Sequence, residues 1–330
     1  MWRDELAERI KTVAPESFWD VALDVFQYQA ANNLIYAQYL DLLHVDARQV
    51  RQRTDIPYLP ISLFKTQDLR SGSWPPVRTF TSSGTTGSAT SHHPLRADDW
   101  YTQHASRTFE SLYGPLRGRA VLALLPAYLE RTGSSLVFMA EDFIRQSEHP
   151  ASGFYLNNLP SLAKQLSDLS SEGVPTLLLG VSFALLDLAE QFPQPLRETI
   201  VMETGGMKGR RREMTRDELH DTLRTAFGVP HIHSEYGMTE LLSQAYAPHY
   251  GVFEPAPTLA VTPRDITDPL SAAPIGRSAV LNLTDLANLD TISFIASDDL
   301  GRVYDDGRFE VLGRLDYSDM RGCNLLVGDV

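Results

Sequence analysis

The 330-residue chain has little cysteine and no long hydrophobic run. Its one cysteine, Cys323, cannot form an intrachain disulfide or a cluster of thiolate metal ligands, so nothing indicates an oxidising compartment. The longest apolar stretches, around 120–129 and 177–186, fall short of the roughly 18 residues that a membrane span requires. Residues 1–5 are mostly charged, and no apolar signal core follows them. These absences predict a cytoplasmic protein without a membrane span.

Basic residues are also scarce relative to acidic ones. The chain has 29 lysines and arginines against 42 aspartates and glutamates, and its formal net charge is −13. So acidic a protein repels polyphosphate backbones, which argues against nucleic acid as a partner. Any phosphate that it binds must be held by local features such as backbone amides. The 43 % hydrophobic and 22 % charged residues are typical of a soluble globular enzyme with a substantial core.

Three regions with different patterning follow one another along the chain. Residues 1–75 have mainly helical spacing of apolar residues, interrupted by an extended segment with two prolines. Residues 76–280 alternate between strands and helices, which predicts an α/β core with a mostly parallel sheet, and residues 281–330 are β-rich. We expect one compact unit. The predicted strands are 121–126, 176–180, 200–206, 279–283, 291–296 and 308–312, and the predicted helices of the core include 182–192 and 215–227.

A loop rich in glycine and hydroxyl side chains lies at residues 81–88. It contains six hydroxyl residues and two glycines and follows a short extended run. Glycines let successive backbone N–H groups converge on one point, and hydroxyls add donors without bulk, which suits an oligophosphate. The loop is not a Walker loop, because no Gly-Lys-Ser/Thr follows at the required spacing. A flexible polar linker is the alternative interpretation.

An aromatic and acidic cluster follows at residues 235–240, with the sequence Glu-Tyr-Gly-Met-Thr-Glu. A tyrosine ring offers a stacking face to a purine, and a carboxylate together with phosphate oxygens makes the hard oxygen site that Mg²⁺ prefers. The alternative is a turn that buries the tyrosine. Upstream, the predicted strand at 200–206 ends in two glycines, which permit close approach of the backbone to a flat ring. For the glycines alone, a simple strand-ending turn is the better interpretation.

The order and spacing of these segments resemble the adenylate-forming superfamily of acyl-CoA synthetases, luciferases and adenylation domains. Residues 83–87 resemble its phosphate-binding signature, and residues 236–240 its Tyr-Gly-x-Thr-Glu motif. Residues 297–299 lie where the family has Thr-Gly-Asp, with Asp298 in place of the glycine, and residues 313–316 resemble its Gly-Arg-x-Asp hinge. The resemblance implies the α/β amino-terminal core of that superfamily, with ATP and Mg²⁺ as cofactors.

The resemblance also implies roles for single residues. The loop would close over the β- and γ-phosphates, Tyr236 would stack on adenine, and Asp299 would accept hydrogen bonds from the ribose. Thr239 would contact the α-phosphate and Glu240 would hold Mg²⁺, which makes both catalytic. The implied nucleotide-binding residues are Ser82, Ser83, Gly84, Thr85, Thr86, Gly87, Gly205, Gly206, Glu235, Tyr236, Gly237, Met238, Asp299 and Arg314. Many members continue the loop with Pro-Lys, where this chain has Ala-Thr, and the phosphate-neutralising cation stays open among Lys65, Arg96 and Lys208.

Further segments resemble the LuxE-type acyl-protein synthetases, the fatty acid–protein ligases of bacterial luminescence. They lie at residues 57–65, 125–129, 205–210, 234–246 and 320–324, and the chain ends 16 residues after Arg314, without room for the superfamily's usual carboxy-terminal domain. In that family a cysteine near the carboxy terminus accepts the acyl group as a thioester and passes it to an acyl-CoA-reductase-like partner. Cys323 matches that position. The alternative is a buried structural cysteine.

Other chemically suggestive residues are given bland interpretations. Ser182 follows a strand and opens a helix, as a hydrolase nucleophile does, but the pattern is incomplete and a helix start is preferred. His231 and His233 would need further ligands to bind a metal, so we expect one to turn inward and one outward. His92 and His93 lie just past the loop, where they could touch nucleotide but where solvent exposure is the more common outcome.

The expected reaction has two steps. A carboxylate attacks the α-phosphate of ATP to give acyl-AMP and pyrophosphate, and a thiol then takes the acyl group. Cys323 is the first candidate for the thiol, and coenzyme A or a carrier-protein phosphopantetheine is the alternative, as in phenylacetate–CoA ligase relatives. A rival of another class is a non-catalytic nucleotide- or acyl-binding subunit that works as a partner of a reductase. A fatty acid is the substrate that the resemblance implies, and the sequence does not specify it further.

Overall fold

The computed structural model describes residues 2–82, 90–126, 133–156, 158–205 and 214–315. The phosphate loop at 83–87, Gly206, Lys208 and Cys323 lie outside the described residues. Within the described ranges, no helix has the length and apolar character needed to cross a bilayer.

The amino-terminal region is helical, as predicted. Helices α1 (Trp2–Lys11), α2 (Phe18–Asn32) and α3 (Leu34–Leu42) are followed by a short strand, β1 (Leu59–Pro60). Helix α2 forms because its apolar residues recur at helical spacing and bury one face. Helix α3 begins where the side chain of Asn33 accepts a hydrogen bond from the amide of Tyr36, which caps the first turn. Among the described residues, this region packs into the same apolar core as the rest of the chain.

The middle of the chain builds the parallel half of a large sheet. Hairpin β2–β3 comes first and pairs only within itself among the described residues, and the parallel strands then follow in the order β5-β4-β6-β7-β8. Fully buried apolar runs such as β6 explain why these strands lie at the centre, covered by helices. The elements are β2 (Arg78–Thr81), β3 (His92–Leu95), α4 (Asp98–Tyr113), β4 (Ala120–Leu124), α5 (Ser135–Ser147), β5 (Gly153–Phe154), α6 (Leu159–Glu172), β6 (Thr176–Val181), α7 (Ser182–Gln191), β7 (Thr199–Thr204), α8 (Arg216–Phe227) and β8 (His233–Tyr236).

The sheet continues in antiparallel fashion after β8. The order is β8-β9-β10-β14-β13-β12-β11, and β1 joins the side of β13 in parallel. These strands are β9 (Ala245–Ala247), β10 (Val252–Pro255), β11 (Leu259–Arg264), β12 (Ser278–Asp285), β13 (Phe294–Val303) and β14 (Phe309–Arg314). The core expected to be mostly parallel is therefore parallel only as far as β8.

One strand starts later than the sequence pattern predicts. The pattern predicts a strand at residues 291–296, whereas β13 begins at Phe294. The preceding residues leave the sheet because their backbone groups bind side chains of the helical region: Asn33 Nδ2 donates to the Thr291 carbonyl at 3.2 Å, and the Ser293 amide donates to Gln29 Oε1 at 3.0 Å. Residues 286–293, which we call the bracing loop, thus join the amino-terminal helices to the sheet.

The sheet order brings distant motifs to one edge. Parallel strands β7 and β8 end side by side, at Thr204 and Tyr236, and ligands of α/β sheets bind outside such carboxyl ends. Strands β13 and β14 pair so that Asp299 lies opposite Arg314. A single edge of the sheet therefore carries residues from four strands that are far apart in the sequence.

Candidate functional site

Three of the predicted nucleotide-binding residues are in direct contact. The hydroxyl of Tyr236 donates to Asp299 Oδ2 at 2.7 Å, and Nε of Arg314 lies 3.2 Å from Asp299 Oδ1. Tyr236 and Asp299 are buried, whereas the side chain of Arg314 is 64 % exposed. The predicted ribose-binding carboxylate is therefore oriented by a tyrosine from β8 and a guanidinium from β14. The sequence motifs did not predict the tyrosine–aspartate hydrogen bond.

The ring of Tyr236 is fixed by aromatic neighbours. It contacts Phe253 at 5.8 Å between centroids and Phe309 at 5.4 Å, with interplanar angles of 57° and 79°. The Phe253 ring is tilted and the Phe309 ring is nearly perpendicular to the ring of Tyr236, and together they restrict its orientation. Burial and the neighbouring carboxylate of Asp299 raise the pKa of the phenol well above its ordinary value, which keeps it a hydrogen-bond donor. The stacking of Tyr236 on adenine stays a prediction.

The Thr239–Glu240 segment is held by its backbone carbonyls. The carbonyl of Thr239 accepts a hydrogen bond from Nδ1 of His93 at 2.8 Å, and that of Glu240 accepts from Asn288 Nδ2 at 2.8 Å. Because these contacts use main-chain atoms, the hydroxyl of Thr239 and the carboxylate of Glu240 are not consumed by them. Sequence patterns gave no signal for His93 or Asn288 as supporting residues, and the expected exposure of His93 is wrong, since it is fully buried.

The described ends of the phosphate loop form a closed stem. The Ser82 amide donates to the Ser91 carbonyl at 3.1 Å, and the Ser91 amide donates to Ser82 Oγ at 2.8 Å. The Thr81 amide donates to the Gly133 carbonyl at 2.8 Å. Ser82, expected to bind phosphate, thus uses its hydroxyl to close the stem. Strand β3 continues from this stem to His93, so hairpin β2–β3 contacts the Thr239 segment.

A pair of buried glutamates lies at the ends of β7 and β8. Glu235 accepts a hydrogen bond from Thr204 Oγ1 at 2.5 Å, and Glu203 accepts from Ser182 Oγ at 3.1 Å. Gly237 leaves room for the first carboxylate, since a Cβ at that position would lie 2.4 Å from Glu235 Oε1. Burial raises the pKa of Glu235 to about 7, Thr204 opposes this shift, and the nearby charge of Glu203 adds to it.

Ser182 does not have the surroundings of a hydrolase nucleophile. Its hydroxyl donates to Glu203 and to the Gly205 carbonyl, the latter at 3.0 Å, and it opens α7 as predicted. His220 Nε2 lies 3.7 Å from Glu203 Oε1, on the other side of the carboxylate. A serine nucleophile needs a histidine as its own hydrogen-bond partner, and the arrangement here places a carboxylate between them.

Of the other predicted binding residues that the structure describes, Gly205 follows β7 and Met238 follows β8 at the same edge. Gly205 follows β7 with a φ of 67°, a conformation that favours glycine, and it is exposed. Met238 is half-buried between Gly237 and Thr239. Arg96 is paired with Asp290 at 3.1 Å, which reduces its value as a phosphate-neutralising cation, whereas Lys65 is exposed on a short helical turn.

The described residues contain no group of three or more histidines, cysteines, aspartates or glutamates that could hold a metal ion. Glu240 is buried at the site edge and would supply one carboxylate. Mg²⁺ commonly binds through one or two carboxylates together with substrate phosphates and water, so a single glutamate fits a metal that arrives with ATP.

Replacing Glu235 with glutamine is expected to change how stability depends on pH. The folded-state pKa of about 7 exceeds the ordinary 4.5, so the native protein loses stability as pH rises from 4.5 to 7. Glutamine cannot ionise but still accepts from Thr204. Relative to the wild type, Glu235→Gln should therefore gain up to about 2 kcal/mol between pH 5 and pH 8. Urea unfolding at both pH values measures this, with the exposed substitution Glu172→Gln in parallel. If Glu235→Gln were less stable relative to the wild type at pH 8 than at pH 5, the raised pKa of Glu235 would be contradicted.

No family model and no curated protein matches the chain. Solved structures do. ATP-bound MatB from Rhodopseudomonas palustris superposes with a TM-score of 0.54 at 17 % identity, covering 72 % of this chain and 47 % of MatB. An open conformation of 2-hydroxyisobutyryl-CoA ligase in complex with 2-HIB-AMP and CoA gives 0.64 at 14 % identity, covering 94 % of this chain and 77 % of the ligase. Apo MbtA from Mycobacterium smegmatis gives 0.51 at 18 %, covering 72 % and 46 %.

The chain has the fold of these proteins. The predicted α/β architecture, with a small β-rich carboxy-terminal part, is thereby confirmed. The chain spans about half the length of MatB and of MbtA, at 47 % and 46 %. At such low identities the likeness establishes the fold, and the activity has to be argued from the site.

Proposed function

We propose that this protein activates a carboxylic acid with ATP to form an acyl-adenylate and pyrophosphate. One observation supports this most strongly. The hairpin that carries the glycine–hydroxyl loop touches the Thr239–Glu240 segment through the 2.8 Å contact between His93 and the Thr239 carbonyl. The hairpin strands that flank the loop are therefore neighbours of the segment that the motifs assign to the α-phosphate and Mg²⁺. Tyr236, whose hydroxyl donates to Asp299, ends β8 three residues before Thr239, and Arg314 lies against the same carboxylate.

In the proposed first step, binding and orientation do most of the work. Asp299, pre-oriented by Tyr236 and Arg314, would accept hydrogen bonds from the ribose hydroxyls. The loop at 83–87 would hold the β- and γ-phosphates, and Thr239 would donate to the α-phosphate. The acid's carboxylate oxygen then attacks the α-phosphorus, and the bond to the bridging oxygen breaks to release pyrophosphate. Mg²⁺, held by Glu240, would neutralise phosphate charge.

For the second step we propose transfer to a thiol. A thiolate attacks the carbonyl carbon of the acyl-adenylate, the bond to the phosphate oxygen breaks, AMP leaves, and a thioester forms. Cys323 is the acceptor that the LuxE-type resemblance suggests, with a reductase-type partner as the later recipient and a fatty acid as the substrate. Coenzyme A or a carrier-protein thiol is the alternative acceptor. With either acceptor the chain would be an acid–thiol ligase. It would acylate its own cysteine if Cys323 is the acceptor, and an external thiol otherwise.

A screen for ATP–pyrophosphate exchange over a panel of carboxylic acids tests the first step. We expect exchange that depends on the acid, whereas a non-catalytic nucleotide-binding subunit would bind ATP or AMP without any exchange. Intact-mass analysis after incubation with ATP and the active acid then tests the second step. An acyl adduct lost in Cys323→Ala supports the cysteine. If Cys323→Ala still delivers acyl groups to an external thiol as well as the wild type does, transfer through the cysteine is refuted while activation stands.

A further inference from the structure

His93 is a fully buried histidine with both ring nitrogens in use. Its Nδ1 lies 2.8 Å from the Thr239 carbonyl oxygen, and its Nε2 lies 2.9 Å from Thr291 Oγ1. The ring also packs on Phe64 at 5.3 Å between centroids. The imidazole therefore connects three parts of the molecule: hairpin β2–β3, the Thr239–Glu240 segment and the bracing loop at 286–293.

The partners determine which nitrogen carries the proton. A carbonyl oxygen only accepts hydrogen bonds, so Nδ1 must be the donor to Thr239. In a neutral ring Nε2 is then an acceptor, and the Thr291 hydroxyl supplies its proton. Burial lowers the pKa of His93 to about 4, which agrees with a neutral ring at physiological pH. Each hydrogen bond thus has a defined direction.

The bracing loop is a rigid support for this contact. Its Thr291 carbonyl accepts hydrogen bonds from Asn33 Nδ2 at 3.2 Å and from Ser71 Oγ at 2.5 Å. Gln29 of α2, which is fully buried, donates to the carbonyl of Leu289 at 3.2 Å. Buried, mutually satisfied polar groups of this kind fix a single arrangement. His93 is therefore connected to the amino-terminal helices through the bracing loop.

The bracing loop also contacts the Thr239–Glu240 segment through Asn288. Asn288 Nδ2 donates to the Glu240 carbonyl at 2.8 Å, and Asn288 Oδ1 accepts from the Leu242 amide at 3.1 Å. The Thr239–Glu240 segment is thus attached to the bracing loop through Asn288 and to the hairpin through His93. Among the described residues the hairpin does not pair with the large sheet, and the hydrogen bond from His93 to the Thr239 carbonyl joins it directly to the Thr239–Glu240 segment.

We propose that His93 is a positioning residue that holds hairpin β2–β3 against the Thr239–Glu240 segment, so that ATP binding and turnover depend on its hydrogen bond to the Thr239 carbonyl. The proposal rests on the function proposed above. Groups that act on one reacting centre must be held to within about 0.5 Å, and a misplacement of about 1 Å costs up to about 100-fold in rate. A two-stranded hairpin attached by one directional hydrogen bond to the partner segment is where such an error would arise.

Two amide variants separate positioning from general packing. In His93→Asn the side-chain amide lies near the former Nδ1 and can still donate to the Thr239 carbonyl. In His93→Gln it lies near the former Nε2 and reaches Thr291 instead. Both remove the ring from its contact with Phe64, and asparagine leaves the larger void because its side chain is one methylene shorter. We therefore expect His93→Asn to have a melting temperature no higher than that of His93→Gln, but the better catalysis.

The kinetic test is acid-dependent pyrophosphate exchange at varied ATP and varied acid. We expect His93→Gln to lower kcat/KM for ATP by about 10- to 100-fold while leaving KM for the acid unchanged. His93→Asn should recover most of the loss. Equal losses in both variants, or losses that follow their melting temperatures, would overturn the positioning role and leave His93 a packing residue.

A measurement without turnover keeps this proposal separate from the proposed function. The imidazole ¹⁵N spectrum of the wild type at pH 7, assigned by the signals missing from His93→Asn, should show a neutral ring protonated at Nδ1. Thr291→Val should shift the Nε2 signal. A ring protonated at Nε2 would overturn the geometry. If the spectra agree but no acid supports exchange in the wild type, the proposed function fails while the His93–Thr239 contact stands. The affinities of His93→Asn and His93→Gln for ATP then test the positioning role. Equal affinities would reject that role.

Discussion

Glu240→Gln is expected to lower acid-dependent pyrophosphate exchange by about 100-fold or more. The backbone of Glu240 is fixed by Asn288, and its side chain is buried at the site edge, so glutamine should occupy the same space. Glutamine keeps an oxygen that can face Mg²⁺ but lacks the negative charge that strengthens the binding of Mg²⁺. The fold should survive, and the loss should reside mainly in kcat, because the charge stabilises the transition state more than bound ATP. Exchange kinetics at saturating and limiting Mg²⁺ measure the effect.

The control for this substitution is Glu172→Gln, the same chemical change at an exposed position near the end of α6. It should leave exchange at the wild-type level. Because catalysis and folding can be confused, the melting temperature of Glu240→Gln has to be compared with that of the wild type. If Glu240→Gln exchanged pyrophosphate within a few-fold of the wild-type rate, a catalytic role for Glu240 would be contradicted.

Asp285→Ala is expected to destabilise the protein by about 3–5 kcal/mol, the largest stability effect that we predict. The carboxylate is fully buried and accepts four hydrogen bonds, from the amide of Leu242 at 2.8 Å, the amide and hydroxyl of Ser243 at 2.9 and 2.6 Å, and the amide of Ala287 at 3.0 Å. Alanine would leave the amides of Ser243 and Ala287 buried without an acceptor, at about 1–3 kcal/mol each. The Leu242 amide would keep Asn288 Oδ1 at 3.1 Å, and the Ser243 hydroxyl would keep Thr258 Oγ1 at 2.7 Å.

Asp285→Asn provides the matched comparison. The amide keeps one acceptor oxygen and the shape of the side chain, so the loss should fall between those of the wild type and Asp285→Ala. Urea unfolding at pH 7 measures both variants. Three of the four donors follow the Thr239–Glu240 segment, and the fourth, the Ala287 amide, belongs to the bracing loop. Because Asp285 joins the two, the alanine variant should also lose pyrophosphate exchange. A cost below about 1 kcal/mol for alanine would mean that water or a shifted loop satisfies the donors.

The strands that the sequence predicts best are those with fully buried apolar runs. Strand β6 is buried along its whole length and mostly apolar, and β7 has an apolar centre at residues 200–202, so the amino-acid pattern indicates central parallel strands. Strands β9 and β10 were not predicted because they are only three and four residues long. Their pairing depends on partners distant in sequence, such as β14, which local pattern does not encode.

The motifs predict individual site residues but not the residues that support them. Tyr236, Asp299 and Arg314 were identified by resemblance to known motifs, and the structure brings them into contact. The hydrogen bond from His93 to Thr239 joins residues 146 positions apart, and the composition around His93 carries no signal for it. The sequence around Gln29 of α2 also gives no signal, although Gln29 donates to the carbonyl of Asn288 in the bracing loop, 259 positions away. Such contacts are properties of the tertiary fold.

A crystal structure of the protein with ATP and Mg²⁺ tests the central claim most directly. We predict that the ribose hydroxyls lie within hydrogen-bond distance of Asp299, that the α-phosphate faces Thr239, and that the β- and γ-phosphates lie against residues 83–87. A triphosphate bound elsewhere on the sheet edge, or one that contacts the glycine–hydroxyl loop without reaching Thr239 and Asp299, would contradict the account.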